Sequence, residues 1–290
     1  MVESDNTRRI FREAFVIYIV TIHHETDNFV DLQDKYFARY TKEDYKIFAG
    51  LCNANNDKYF AAHENGEYSN FHFVDLNEVH NQHWHRMNYL VTEIIKTNPA
   101  ISEDDLLIFT DGDAFPVYGW VEPIRNALDS DDPVRVVAIQ RSENPEPALA
   151  EQFKPYPHPC FFVTKLKFWT DNRLTWNLHP PQIETAGPLL KLWLEQNGYA
   201  YAPMLRTNVY NIHPLYFGVY GGMIYHHGAG NREVYDSIDI WPRVGLNPST
   251  DLDLRYPNIL RVNKKLSNLI FEEILEDDDF INVYLMGREG

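Results

Sequence analysis

Cysteine is scarce. Cys52 and Cys160 are the only two among 290 residues, and no CxxC pair occurs. That excludes a disulfide framework and fits a reducing compartment. Long apolar runs are missing as well. The densest early one, Phe15–Val20, is far short of the ~20 residues that cross a bilayer. The opening residues, MVESDNTRRIFREAF, mix acids with bases and contain no signal-peptide hydrophobic region. These gaps predict a soluble, cytoplasmic protein with no membrane span, leaving open attachment to a membrane surface through another chain. Basic residues are few: 26 Lys and Arg stand against 42 Asp and Glu, a net charge of −16. No broad basic field is available to displace phosphate counterions, which excludes nucleic acid as a partner. Polyphosphate ligands stay open if a metal or a few local arginines assist. Neither an internal repeat nor a Gly/Ser linker is visible.

What is present is a core. Hydrophobic residues make up 44% of the chain and aromatics 14%, enough for a sizeable core in one or two domains. Phe15–Thr21 is a dense β-branched and aromatic run and predicts a buried strand. Val30–Tyr40 places Leu32, Tyr36, Phe37 and Tyr40 at helical spacing. Tyr45–Leu51 and Phe71–Leu76 read as strands, Asn53–Tyr59 as an Asn-rich loop, and residues 79–97 as a helix closed by Asn98–Pro99. Leu106–Phe109 is a further strand, followed by a helix over Val121–Leu128 and strands over Val134–Ile139 and Cys160–Thr164. Arg141–Pro159, with five prolines from Asn144 onward, reads as an irregular loop and a candidate lid. Leu189–Leu194 is apolar and helical, Gly222–Tyr225 a strand, and Leu260–Leu275 an amphipathic terminal helix. Strand–helix alternation of this kind predicts an α/β fold with a mainly parallel central sheet flanked by helices, plus a C-terminal helical extension.

The segment Asp104–Pro116, DDLLIFTDGDAFP, carries the chemistry. A buried strand runs into Thr110, Asp111, Gly112 and Asp113. In parallel sheets ligands collect at the carboxyl ends of the strands. The polar ends of the first strand (His23–Asp27) and the second (Asn53–Asp57) are predicted on the same edge. Two carboxylates one residue apart repel unless water or a divalent cation separates them. The plain alternative is a solvated acidic turn. Hard oxygen donors suit Mg2+ or Mn2+, and Asp111 and Asp113 are the first candidate ligands. His226 and His227 follow the late strand. Adjacent residues on a strand point to opposite sides, so one histidine reaches the site while the other packs. An imidazole added to two carboxylates favours Mn2+ over Mg2+. Arg86 and Arg232 are candidate diphosphate contacts because guanidinium forks onto phosphate oxygens, although Arg86 taken alone reads as a surface arginine paired with an acid. Thr21, closing the first strand, and Asn88 are further candidate donor contacts. Glu184, ahead of a helix start, is a candidate general base. His83 and His85 fall on different faces of a helix and read as helix surface. Tyr156, Trp176, Tyr210, Tyr216, Phe217 and Tyr220 could stack on a sugar, but most read as core.

These elements together resemble the GT-A class of nucleotide-sugar glycosyltransferases over roughly residues 14–232. FTDGDAFP looks like the DxD motif of that class. The resemblance implies that Asp111 approaches ribose or metal and that Asp113 binds the metal on the donor diphosphate. HRMNYLVTEIIK is similar to the helix that precedes the motif, mapping to Arg86 and Asn88. Glu184 with TAGPLLKLWLEQNGYAYAP is similar to the segment whose acid is the base of inverting members, with Glu-Thr here in place of Glu-Asp. YHHGAGNR resembles the late His–Gly loop that completes the metal site, favouring His226 with His227 as the spare. The resemblance further implies a GT-A-like catalytic domain over residues 1–245 and an extension over 246–290. Within the domain, about 12–115 would hold the donor and 116–245 the acceptor. The expected activity is Mn2+- or Mg2+-dependent transfer from a nucleoside-diphosphate sugar to a hydroxyl acceptor such as a glycan. The rivals are a sugar-phosphate nucleotidyltransferase, a haloacid-dehalogenase-type phosphatase and a non-catalytic glycan-binding module. The first usually carries a Gly-rich basic loop after its first strand, and TIHHETDNF has neither Gly nor Lys. The second places its acidic pair at the first strand.

Overall fold

A computed structural model describes residues 15–79, 82–141, 155–176, 187–209, 217–228 and 256–288. Strands β1 (Val16–His24), β2 (Asp44–Cys52), β3 (Phe71–Asp75), β4 (Leu106–Asp111), β6 (Val134–Arg141), β7 (Tyr156–Lys165) and β8 (Ala200–Met204) form one sheet. It is seven-stranded, in the order β3-β2-β1-β4-β7-β6-β8. Neighbours are parallel except at β7, which runs antiparallel to β4 and β6. A second, three-stranded antiparallel sheet joins β5 (Ala114–Pro116), β10 (Ile224–His226) and β9 (Gly218–Tyr220). The architecture is α/β with a mainly parallel central sheet, as the alternation predicts.

Period-2 alternation divides the core between the two sheet faces. Ile17, Ile19, Ile47 and Ile108 face one cluster, built with α1 (Val30–Tyr40), α4 (Val121–Leu128) and the small sheet. Tyr18, Val20, Phe48 and Phe109 face the other. There α3 (His83–Thr97), α5 (Leu166–Asp171) and α6 (Gly187–Gln196) supply Leu90, Ile94, Trp169 and Leu190. The terminal helix α7 (Tyr256–Glu276) and a π-helical turn (Ile281–Leu285) pack Ile270, Ile274, Ile281 and Leu285 into the first cluster.

The departures from the sequence reading have physical reasons. Asn53–Tyr59, read as a loop, leads into helix α2 (Asn56–Glu64), which buries only Tyr59 and so carries no apolar stripe to detect. The Pro-rich end of the predicted lid is the start of β7. Pro157 lies opposite Gln140 of β6, whereas pairing with β4 begins only at Phe161. The prolines therefore sit where β7 has a single neighbour and no second ladder needs their missing N–H. Pro159 falls at the β-bulge, where the register shifts between Ala138 and Ile139. β5 and β9, three residues each, are too short to show a period.

Candidate metal and donor site

Parallel pairing sets Cys52 level with His24 and Asp111 level with Ile22, so β2, β1 and β4 end side by side. The acidic turn leaves β4 at this edge and returns as β5. Ala114 of β5 pairs with His226 of β10, and the His227 N–H donates to the Asp113 carbonyl at 3.1 Å. Two segments more than a hundred residues apart are thus held together by backbone pairing. The consequence is geometric. His226 Nε2 lies 3.3 Å from Asp111 Oδ2 and 3.4 Å from Asp113 Oδ1. His226 and Asp113 are buried, and the Asp111 side chain is 27% exposed, open toward solvent.

The charges interlock. Burial alone would lower the His226 imidazole, but the field of Cys160 and Asp113 and the bonds to both carboxylates raise it well above its ordinary value. Burial alone would raise the Asp111 carboxyl, yet the bond and charge of His226, with His83 and His158 beyond, hold it well below the usual range. An imidazolium between two carboxylates compensates them by one charge, and a divalent cation would compensate both. Two carboxylates and an imidazole are donor types that suit such an ion, each carboxylate lying within 3.4 Å of the imidazole nitrogen.

Other predicted residues are distributed unevenly. His227 turns away: its Nδ1 lies 2.8 Å from the Tyr225 hydroxyl and its Nε2 3.0 Å from Ser267 Oγ, and its ring packs on Phe29 and Phe271. Arg86 is no surface arginine. It is 5% exposed, its Nε is buried with no partner, and no acid pairs with it among the described residues. Asn88 accepts the Trp176 N–H at 3.1 Å, tethering the segment after α5 to α3. Thr21 needs correction as a donor contact. It is fully buried and its hydroxyl accepts from Gln33 Nε2 at 3.3 Å, so it supports the turn from beneath. Trp176, Tyr156, Phe217 and Tyr220 are core residues. Glu184, Arg232, Tyr210 and Tyr216 lie outside the described residues.

Further residues that the sequence reading did not name as site residues surround the acidic turn. Gln33 of α1 is fully buried, and its Nε2 also donates to the carbonyls of Asp111 at 3.0 Å and Ala114 at 2.9 Å. A polar residue amid the apolar stripe of α1 was the available signal. His23 is buried with Nε2 unpartnered. A Cβ on Gly112 would stand 2.6 Å from the Ile22 carbonyl oxygen and 3.0 Å from His23 Nδ1. Gly112 is therefore required by close packing of the turn onto the end of β1. Cys160, on β7, joins Asp111 and His226 in a group whose ligand atoms all lie within 4.8 Å of one another.

No family model matches the chain, and no curated protein does. Solved structures do. A mannosyltransferase from Pyrobaculum calidifontis, in complex with GDP-Man and Mn2+, is similar with a TM-score of 0.44 and 12% identity, over 64% of this chain and 54% of that one. S. aureus TarS residues 1–349 with UDP-GlcNAc is similar with a TM-score of 0.40 and 9% identity, over 56% and 48%. Glucosyl-3-phosphoglycerate synthase from Mycobacterium tuberculosis, with Mn2+, UDP and glucosyl-3-phosphoglycerate, is similar at 0.44 and 13%, over 66% and 70%. The likeness is one of fold, and the chain spans about half the length of the first two.

Proposed function

We propose that this chain is a metal-dependent glycosyltransferase, moving a sugar from a nucleoside-diphosphate sugar to a hydroxyl acceptor of the glycan type. The observation that carries the reading is the position of His226 Nε2, 3.3 Å and 3.4 Å from the carboxylates of Asp111 and Asp113. That constellation lies at the carboxyl edge of a mainly parallel sheet, where such folds bind ligands. Asp111, Asp113 and His226 would hold Mn2+ or Mg2+. When bound, the ion supplies Lewis-acid neutralisation of a leaving diphosphate. Arg86 adds a buried guanidinium with no acid partner among the described residues, and an anionic oxygen of the donor would satisfy it. Gln33 and Thr21 hold the acidic turn in place, which limits the reorganisation left for the reaction. Arg232 is assigned to the diphosphate and Glu184 to the acceptor proton, both on the order of elements in the sequence.

The test is a thermal-shift series on the full chain with nucleoside diphosphates and nucleotide sugars, with and without Mn2+. A ligand at a hundred times its Kd stabilises by about 2.7 kcal/mol. The expected result is a shift with a nucleoside diphosphate that requires metal. Asp113→Asn should remove that shift and abolish transfer while the protein stays folded. Glu184→Gln should keep the shift and lose transfer, and normal transfer by that variant would remove Glu184 as the base. Stabilisation by free saccharide alone, indifferent to nucleotide and metal, would replace this reading with a glycan-binding module.

A further inference from the structure

Hard carboxylates and one imidazole account for a magnesium or manganese site, but the sulfur beside them has no place in that description. Cys160 is fully buried. It lies one step beyond the Thr110–Phe161 pair of the antiparallel β4–β7 ladder, so it stands across from Asp111. Its backbone is fixed on both sides. The Cys160 N–H donates to His158 Nδ1 at 3.1 Å, and its carbonyl oxygen lies 3.3 Å from the Thr110 hydroxyl. The sulfur, an Asp111 oxygen and a His226 ring nitrogen lie within 4.8 Å of one another. Cys52 makes the contrast. Both cysteines are buried members of apolar clusters, and among the described residues only Cys160 also stands in a group with a carboxylate and an imidazole.

We propose that Cys160 is a thiolate ligand of this centre, forming with Asp111 and His226 a site that takes Zn2+, Co2+ or Cd2+ in preference to Mg2+. The inference rests on the metal-site half of the proposed function and names the class of cation. Bond lengths of about 2.3 Å to sulfur and about 2.0 Å to nitrogen or oxygen put donors on one ion roughly 3.5 Å apart. Spacings within 4.8 Å therefore close with small side-chain movements. Sulfur shifts the preference of a site from hard ions toward borderline and soft ones, and the imidazole acts in the same sense. Asp113 Oδ1 stands 3.4 Å from His226 Nε2 but outside the group of ligand atoms that lie within 4.8 Å of one another. On binding, the metal–sulfur bond forms as the thiol proton passes to solvent, and no electron is transferred.

The experiment is a Co2+ titration of the full, metal-free chain followed by absorption. Cobalt in this site gives visible ligand-field bands, and a coordinated thiolate adds a near-ultraviolet sulfur-to-cobalt band. The wild type and Cys52→Ser should show both. Cys160→Ser should lose the sulfur band and bind Co2+ at least about tenfold more weakly, the loss expected even for an outer partner of a metal ligand. Its affinity for Mg2+ should be unchanged. Far-UV circular dichroism checks that the variant is folded, and the wild-type spectrum decides independently of any variant. Ligand-field bands without a sulfur band would overturn the thiolate while leaving the Asp111–Asp113–His226 site standing. No binding of either Co2+ or Mn2+ would overturn both.

Discussion

His23 shows how a side chain's surroundings set its titration. It closes β1 under the acidic turn, 3% exposed, with Nε2 unpartnered. Burial lowers its pKa to about 4 against the partial opposition of Gln33, Asp113 and Asp27. The folded protein therefore holds His23 neutral where the unfolded chain, titrating near 6.5, has already bound a proton. Between those values the unfolded state carries more protons, so stability rises with pH. The contribution is complete above about pH 6.5 and is lost as pH falls toward 4. Its size is about 3 kcal/mol, since each pH unit separating the folded and unfolded pKa is worth about 1.36 kcal/mol. In urea denaturation, His23→Gln should flatten the fall in stability between about pH 7 and pH 4.5 relative to the wild type. An unchanged pH slope would mean that the imidazole is hydrated in the folded state.

Between elements, the acidic turn is held by α1 as much as by its own strand. The Gln33 amide nitrogen reaches the Asp111 and Ala114 carbonyls and the Thr21 hydroxyl. Gln33→Leu keeps the bulk and leaves the Asp111 and Ala114 carbonyls to the Thr110 hydroxyl, 3.3 Å from each and able to serve one of them, and an unsatisfied group costs about 1–3 kcal/mol. The variant should be roughly 1–3 kcal/mol less stable by chemical denaturation and should bind Mn2+ more weakly. Stability and affinity both at wild-type level would remove Gln33 from this role. This support was invisible in the sequence because it joins residues 33, 111 and 114 through the sheet. What was legible is local. Phe15–Thr21 and Leu106–Phe109 announce buried strands as dense apolar runs, and Asp111 and Asp113 announce a charged strand end. The step from His226 to the two carboxylates came through resemblance in element order, since the Ala114–His226 pairing runs through β5, which is too short to read. Cys160 was missed because strand–helix alternation implies parallel neighbours, and β7 is antiparallel. Only that reversal sets Cys160 across from Asp111.

For the whole molecule, the terminal helix decides whether the chain is a catalytic unit with an appendage or one cooperative fold. No helix among the described residues is long and apolar enough to cross a membrane. Two kinds of contact hold α7 and the segment after it, through the π-helical turn. Arg39 bridges to Asp279 at 2.7 Å and Lys35 pairs with Asp278, all between half-exposed side chains. Such pairs contribute about 0.2–1 kcal/mol each. Against them stand Ile270, Ile274, Ile281 and Leu285, each at most 4% exposed. Full burial of one such side chain is worth about 1.5–3 kcal/mol. Four of them reach roughly 6–12 kcal/mol, the size of a whole domain's stability. Ser267, fully buried, adds a hydrogen bond to His227, which comes directly after His226. Apolar packing thus outweighs the charged clasp. Neutralising Asp278 and Asp279 to Asn should lower stability by no more than about 1–2 kcal/mol. Ile274→Ala should lower it by about 2–5 kcal/mol. Deleting residues 256–290 should leave a chain without a cooperative thermal transition, measured by calorimetry. A truncated protein that melts like the full chain and still binds Mn2+ would show the helix to be an appendage.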